Sequence, residues 1–246
     1  MIIDKEISLA IKAAKDSGRL LLENKKELNN KVSVSDKDLK LKADLSSESL
    51  IKELILSNSE YPILAEESGK SEADLGKVFW VVDPLDGTAN YNRDIPICCV
   101  SIGLVQDMKP LAGIIYDFNN DDIYVGNVLE KKATLNGKEI CVSNIDQKNE
   151  GILITGLPHD TDYSDNALKE MIIDMQLWKK VRMIGSAAMA SCYVACGKGD
   201  LYKENGIYLW DIVAGAAIIS SAGGSAKISN IRDNYQVDVV FSNSRI

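Results

Sequence analysis

Along residues 4–23 the apolar positions Ile7, Leu9, Ala10, Ile11, Ala13, Ala14, Leu20 and Leu21 recur at helical spacing, which predicts a helix with Asp4 as its cap. Residues 24–42 are polar and lysine-rich with few apolar anchors, the pattern of a mobile loop or a loose hairpin. A second helix is predicted over 45–57, with Asp44 at the N-cap and Leu50, Ile51, Leu54 and Ile55 turned inward. Pro62 then introduces a short strand, 63–65, that ends in Glu66 and Glu67. The run 78–82, with Phe79 and Trp80 among valines, has the β-branched and aromatic bias of a buried strand. It meets Asp83-Pro84-Leu85-Asp86-Gly87-Thr88, where Pro84, unable to donate to a sheet ladder, is expected to stop it. β-like runs follow at 98–105, 111–116 and 123–125, then Thr134-Leu135-Asn136-Gly137-Lys138, whose Asn-Gly pair signals a hairpin. Strands clustered after two helices predict an antiparallel sheet with helices on one face.

The pattern changes at the polar patch 146–150. Beyond it strands alternate with helices: strand 152–155, helix 166–179, strand 181–184, helix 186–196, strand 200–203, helix 210–222 closed by Gly223-Gly224, and strand 237–242. The chain is therefore expected to divide into an N-terminal α+β half, 1–147, carrying the antiparallel sheet and the acidic motifs, and a C-terminal α/β half, 148–246, that completes the site. No internal repeat or low-complexity segment interrupts either half.

The 246 residues can bury a substantial core, and 46% hydrophobic with 26% charged content is ordinary for a soluble globular chain. Lys and Arg number 28 against 36 Asp and Glu, a net charge of −8 with no long basic run. That balance argues against a nucleic-acid or anionic-membrane surface. A local phosphate site survives it, because metal ions can carry the positive charge in an acidic protein. Cys98, Cys99, Cys141, Cys192 and Cys196 are odd in number and lack zinc-type spacing, as expected of reduced, buried thiols in a cytoplasmic protein. No signal peptide is visible at the start, and the most apolar helix, with Asp211 and glycines in it, falls short of a membrane span. The single histidine, His159, follows Pro158 in a polar loop and reads as a surface residue rather than a general base.

Glu66, Asp83, Asp86 and Asp211 close strand or helix boundaries. Taken singly such acids are solvated loop residues, and Asp44 or Asp211 at the start of a helix is ordinarily a cap. Taken together they point elsewhere: carboxylates beside the N–H groups of Gly87 and Thr88 suit a divalent cation bridging to a phosphate. A calcium-binding EF-hand loop fails, since it needs acids at alternate positions, whereas Asp83 and Asp86 stand three apart with Pro84 between them. The haloacid-dehalogenase phosphatases carry Asp-x-Asp-Gly-Thr after an apolar strand. Here one more residue separates the acids, which turns the second carboxylate to another side of the backbone.

The arrangement Asp83-Pro84-Leu85-Asp86-Gly87-Thr88, with Glu66-Glu67-Ser68 upstream and Trp210-Asp211 followed by Ala214-Gly215 downstream, resembles the inositol monophosphatase family. Val100-Ser101-Ile102-Gly103, Gly113-Ile114-Ile115-Tyr116, Gly185-Ser186-Ala187-Ala188 and Glu204-Asn205-Gly206-Ile207 extend the resemblance, in order, over most of the chain. It implies an αβαβα sandwich of the sugar-phosphatase type and a magnesium-dependent, lithium-sensitive-type phosphomonoesterase. By resemblance, Glu66, Asp83 and the Leu85 carbonyl hold a first Mg²⁺. Asp83, Asp86 and Asp211 hold a second, and Glu66 shares a third, weaker ion. Two such ions about 3.5–4 Å apart clamp the attacking and leaving oxygens of an in-line displacement. Thr88, paired with Asp44, would orient and help deprotonate the attacking water, with Glu66 beside them in the catalytic set. The Gly87 and Thr88 N–H groups would hold the phosphate, and no covalent phosphoenzyme is expected.

The alcohol part is read, by the same resemblance, at Asp86, Ser186, Ala187, Glu204 and Asp211. Glu204 could accept hydrogen bonds from two vicinal hydroxyls, so inositol monophosphate or a related polyol or sugar phosphate is the expected substrate. The alternatives are 3′-phosphoadenosine 5′-phosphate, fructose 1,6-bisphosphate, or a non-catalytic homologue that keeps the metal and phosphate site. A homodimer is implied by resemblance only, with no nucleic-acid or membrane partner. Ala65 and Ser186 stand where glycine and threonine are common in the family, and the chain stops soon after its last strand. Neither substitution removes a ligand, and the short end is expected to alter substrate preference or the dimer edge.

Overall fold

The computed structural model describes residues 3–34, 39–157 and 163–246. The strand Val78–Asp86 is buried along both faces: Trp80 and Val82 belong to one hydrophobic cluster, Phe79 and Val81 to another. Alternation places successive side chains on opposite faces, so a strand with no polar position until Asp83 must lie inside the molecule.

It lies within an eight-stranded sheet. In spatial order the strands are Lys138–Glu139, Lys132–Leu135, Asp122–Asn127, Lys109–Asp117, Cys99–Gln106, Val78–Asp86, Ile63–Ala65 and Gly69–Lys70. Every pairing is antiparallel except Ile63–Ala65 against Val78–Asp86. The helices Asp4–Glu23 and Lys42–Leu56 cover one face. Ala187–Ala195 and Leu209–Ser221 cover the other. Helices therefore lie on both faces rather than one, as a sheet apolar on both sides requires.

A five-stranded sheet packs on the far side of that second helix pair, ordered Lys180–Arg182, Ile152–Thr155, Leu201–Tyr208, Gln236–Ser242 and Ser225–Ser229. The helix Asp165–Met175 closes the outside, where Met175 and Trp178 meet Leu153 and Leu201. The layers alternate helix, sheet, helix, sheet, helix, which is the αβαβα sandwich.

The Leu209–Ser221 helix is buried nearly all round because it lies between two sheets, and small residues let it approach them closely. A Cβ on Gly113 would stand 2.0 Å from the Ala214 carbonyl oxygen.

Several expectations shift at their edges. The polar segment after the first helix contains a short helix, Lys25–Leu28, and an antiparallel hairpin, Lys31–Val34 with Leu39–Leu41. Ile3 rather than Asp4 caps the first helix, with no side-chain cap bond. Asn136 and Gly137 both take positive φ, the backbone a two-residue hairpin turn needs. The strand Ser225–Ser229 lies where the sequence pattern predicts no element. Cys98, Cys99 and Cys192 are buried free thiols, Cys196 is half-buried, and Cys141 is exposed. His159 lies outside the described residues.

Candidate active site

The Val78–Asp86 strand does not stop at Pro84. Its ladder places Asp83 opposite Ser101 and then Asp86 opposite Cys99, so one extra residue bulges from the strand. Pro84 sits in that bulge, where the ladder demands no N–H. Gly87 follows at φ +91°, and a Cβ there would stand 2.8 Å from the Ile97 carbonyl oxygen, so the turn needs glycine. Thr88 opens the helix Thr88–Asn92, whose first N–H groups have no acceptor inside it. Within the turn the Leu85 N–H donates to Asp83 Oδ1 at 2.9 Å, which fixes that carboxylate.

Asp44 and Asp211 enter from two different layers by the same device. Each is the third residue of its helix and folds back to accept the N–H that precedes the helix. Leu41 N donates to Asp44 Oδ2 at 2.7 Å, and Tyr208 N to Asp211 Oδ2 at 3.0 Å. Asp44 is thus not at the N-cap: the helix begins earlier, at Lys42, because the carboxylate caps it from within the first turn. Its other oxygen, Oδ1, accepts the Thr88 hydroxyl at 2.8 Å, and the Leu85 carbonyl stands 3.0 Å from the same hydroxyl.

Asp86 faces the C-terminal layers. Its Oδ2 accepts the Ser186 hydroxyl at 2.5 Å and the Ala188 N–H at 2.7 Å, with the Cys99 thiol 3.8 Å away. Ser186 is also the cap of the Ala187–Ala195 helix, accepting from Met189 N. Asn90, which sequence reasoning missed, ties the same regions together by donating to the Ile97 and Ile184 carbonyls, each at 2.8 Å. Glu48, also missed, accepts the Glu67 N–H at 2.8 Å and steadies the chain beside Glu66.

Asp83 is 1% exposed and Asp86 8%, while Glu66 and Asp211 keep some accessible surface. Burial raises the pKa of all four, and Asp83 is pushed well up by burial and then by repulsion from Glu66, Asp86 and Asp211, whereas hydrogen bonds from Ser186 and the Ala188 N–H partly offset the rise at Asp86. The Asp83 carboxyl lies close enough to both Glu66 and Asp211 for each to perturb the other. Among the described residues no three His, Cys, Asp or Glu side chains are placed so as to hold a metal ion without rearrangement, and no Lys or Arg pairs with these four acids. The nearby ammonium of Lys40 is paired with Glu67 instead. Hard oxygen donors crowded together without a counter-charge fit a divalent cation, which would relieve their mutual repulsion.

A cavity of about 290 Å³ adjoins these acids, and Asp86, Ser186, Ala187, Glu204 and Asp211 all line it. The five residues expected to read the alcohol are therefore brought together. Asp44, Glu66, Asp83 and Thr88 do not line it, and Asp86 and Asp211 are the two of the four clustered acids that do. Burial raises Glu204 to about 7, and the Tyr202 hydroxyl donates to its Oε2 at 2.9 Å. In the larger groove beyond Glu204, Lys203 pairs with Asp174 and Arg232 with Asp238, so neither cation is left to balance a second phosphate.

Comparison with known proteins bears on this geometry. The model of the inositol monophosphatase family matches residues 3–236. The chain is 36% identical over 222 residues to "Nus factor SuhB" of Xylella fastidiosa, covering 89% of this chain and 80% of that protein. It is 34% identical over 223 residues to inositol-1-monophosphatase of Mesorhizobium japonicum, covering 89% and 83%. The solved inositol monophosphatase of Anabaena superposes with a TM-score of 0.83 at 34% identity, covering 99% of this chain and 92% of that one. The chain belongs to the inositol monophosphatase family, and it is a phosphoric monoester hydrolase of a metal-dependent family.

Proposed function

We propose that this chain hydrolyses the phosphomonoester of inositol, or of a related polyol or sugar, with two or three Mg²⁺ ions. The observation that carries the substrate reading is Glu204 on the wall of the 290 Å³ cavity that also holds Asp86 and Asp211. Tyr202 occupies one carboxylate oxygen of Glu204, and a carboxylate has capacity left for two vicinal hydroxyls.

Glu66, Asp83 and the Leu85 carbonyl would hold one ion, Asp83, Asp86 and Asp211 a second, and Glu66 would share a third. When bound, the ions supply Lewis-acid polarisation of the phosphoryl oxygens and activate water at neutral pH. The chain's own residues do the rest. Thr88 and Asp44 form a hydroxyl–carboxylate pair able to take a proton from water at the Thr88 oxygen and hold it on Asp44. The Gly87 and Thr88 N–H groups bind phosphate at the start of a helix. Ser186 and the Ala188 N–H hold Asp86 in one orientation at the wall of the cavity.

We take the active form to be a cytoplasmic homodimer without a nucleic-acid or membrane partner. The net charge of −8 disfavours a polyanionic partner, and among the described residues no helix is long and apolar enough to cross a membrane. The paired cations beyond Glu204 disfavour bisphosphates. Phosphate release from inositol 1-phosphate, a heptose phosphate, fructose 1,6-bisphosphate and 3′-phosphoadenosine 5′-phosphate, with Mg²⁺ and with EDTA, tests the reading. A preference for either bisphosphate would overturn the substrate assignment, and no release at all would leave a non-catalytic homologue.

A further inference from the structure

The bulged turn is held from behind by two buried hydroxyls that the chemistry above does not use. Ser47, in the Lys42–Leu56 helix, donates its hydroxyl to the Pro84 carbonyl at 2.7 Å. Ser17, in the Asp4–Glu23 helix, lies 2.6 Å from Ser47 Oγ. Both serines are fully buried. A hydroxyl has one hydrogen, and Ser47's is committed to Pro84, so Ser17 is the donor in the second bond. The result is a chain of hydrogen bonds, Ser17 to Ser47 to the Pro84 carbonyl, each polarising the next.

The Pro84 carbonyl belongs to the Pro84–Leu85 peptide, whose other polar end, the Leu85 N–H, donates to Asp83 Oδ1 at 2.9 Å. One rigid plane thus has its oxygen gripped by Ser47 and its N–H gripping Asp83. Tilting the plane would turn the Asp83 carboxylate and move the Leu85 carbonyl with it. The same helix holds the turn a second time, one helical turn earlier, through Asp44 and Thr88.

We propose that Ser47 is a positioning residue for the metal ligands: it fixes the Pro84–Leu85 peptide and through it the Asp83 carboxylate and the Leu85 carbonyl. The proposal rests on the reading of those two groups as metal ligands. Ser47 touches neither substrate nor ion. Its hydroxyl acts at one remove, as groups that orient a ligand do, and losing such a partner costs about 10- to 100-fold in metal affinity.

The test is calorimetric titration of Mg²⁺ into chelator-treated full-length protein, compared between wild type, Ser47→Ala and Ser17→Ala, with circular dichroism to establish folding. Ser47→Ala should bind Mg²⁺ at least about tenfold more weakly. Ser17→Ala, which keeps the Ser47–Pro84 bond, should stay close to wild type. Saturating Mg²⁺ should restore most of the kcat of Ser47→Ala, which a general loosening of the fold would not allow. If Ser47→Ala does not fold, Ser47→Cys keeps nearly the same volume but donates weakly, and the same tenfold loss is expected. A folded Ser47→Ala or Ser47→Cys with wild-type Mg²⁺ affinity overturns the proposal. An equal loss in Ser17→Ala also overturns it, because helix packing would then be the cause. A wild-type protein that binds no Mg²⁺ overturns the metal reading itself.

Discussion

Replacing Asp44 by asparagine separates the proton role proposed for this residue from its structural one. Asp44 accepts two hydrogen bonds, from Leu41 N on Oδ2 and from Thr88 Oγ1 on Oδ1. Asparagine can keep both contacts: its carbonyl takes the Leu41 N–H, and its amide donates to the Thr88 oxygen. The Thr88 hydrogen then turns to the Leu85 carbonyl, 3.0 Å away. Every group stays paired, but the polarity of the relay is reversed and the place where the proton was held is gone. The expected fall in kcat is roughly 100- to 1,000-fold, within the usual range for a lost general base. KM and Mg²⁺ affinity should change little. Stability should move the other way. Burial raises the Asp44 carboxyl to about 6 from an ordinary 3.8, so ionising it in the folded chain costs up to about 3 kcal/mol. With the folded pKa raised, this penalty is absent below about pH 4, grows between about pH 4 and 6, and is complete above that. Asparagine carries no such penalty. Urea unfolding in EDTA should therefore show Asp44→Asn equal to wild type near pH 4 and more stable by up to about 3 kcal/mol at pH 8. Undiminished kcat, or a stability difference that does not grow with pH, would refute the reasoning.

Gly87→Ala forces a side chain into positive φ and against the Ile97 carbonyl, and should cost about 2–4 kcal/mol in chemical denaturation. A loss under 1 kcal/mol would mean that the turn is looser than described. Glu204→Gln should raise KM for inositol 1-phosphate about tenfold and leave inhibition by inorganic phosphate unchanged. In wild type that KM should fall as pH rises through about 7, where Glu204 becomes ionised, and the glutamine variant should lose this dependence. Ser186→Ala removes a donor that holds Asp86 in its ionised form, so the acid limb of the kcat/KM profile should move to higher pH. An unshifted limb would place Asp86 outside the rate-controlling ionisations.

The acids of the candidate site are legible in the sequence, and the groups that hold them are not. Asp83, Asp86 and Gly87 are readable because their chemistry and their spacing coincide in one short stretch. The bulge is not, since a proline within a strand reads as a stop, and only the Asp83–Ser101 and Asp86–Cys99 pairings reveal that the ladder resumes. Asp44 and Asp211 were recognisable as helix-start acids. Their placement as third residues that cap from inside depends on where the chain enters each helix, which periodicity locates only to within a few residues. Ser47 did leave a signal: it continues the stripe of Ile51 and Ile55, just as Ser17 sits between Ala14 and Leu21, and a polar residue in an apolar stripe asks for a partner. The partner itself, a carbonyl 37 residues away, could not be inferred. Helices on both faces were foreseeable from Phe79 and Val81 alternating with Trp80 and Val82, yet which helices supply the second cover depends on contacts across the two halves. The Ser225–Ser229 strand escaped because it is a short edge with alternating exposure directly after Gly223-Gly224.

The proposal that Glu66, Asp83, Asp86 and Asp211 share cations is tested most directly by titrating Mg²⁺ into chelator-treated wild type and Asp83→Asn while following phosphate release from inositol 1-phosphate. Wild type should be silent without metal and activate saturably. Asp83→Asn, folded by circular dichroism, should remain silent at every Mg²⁺ concentration. Release that persists in EDTA, or full activity in Asp83→Asn, would contradict the metal site.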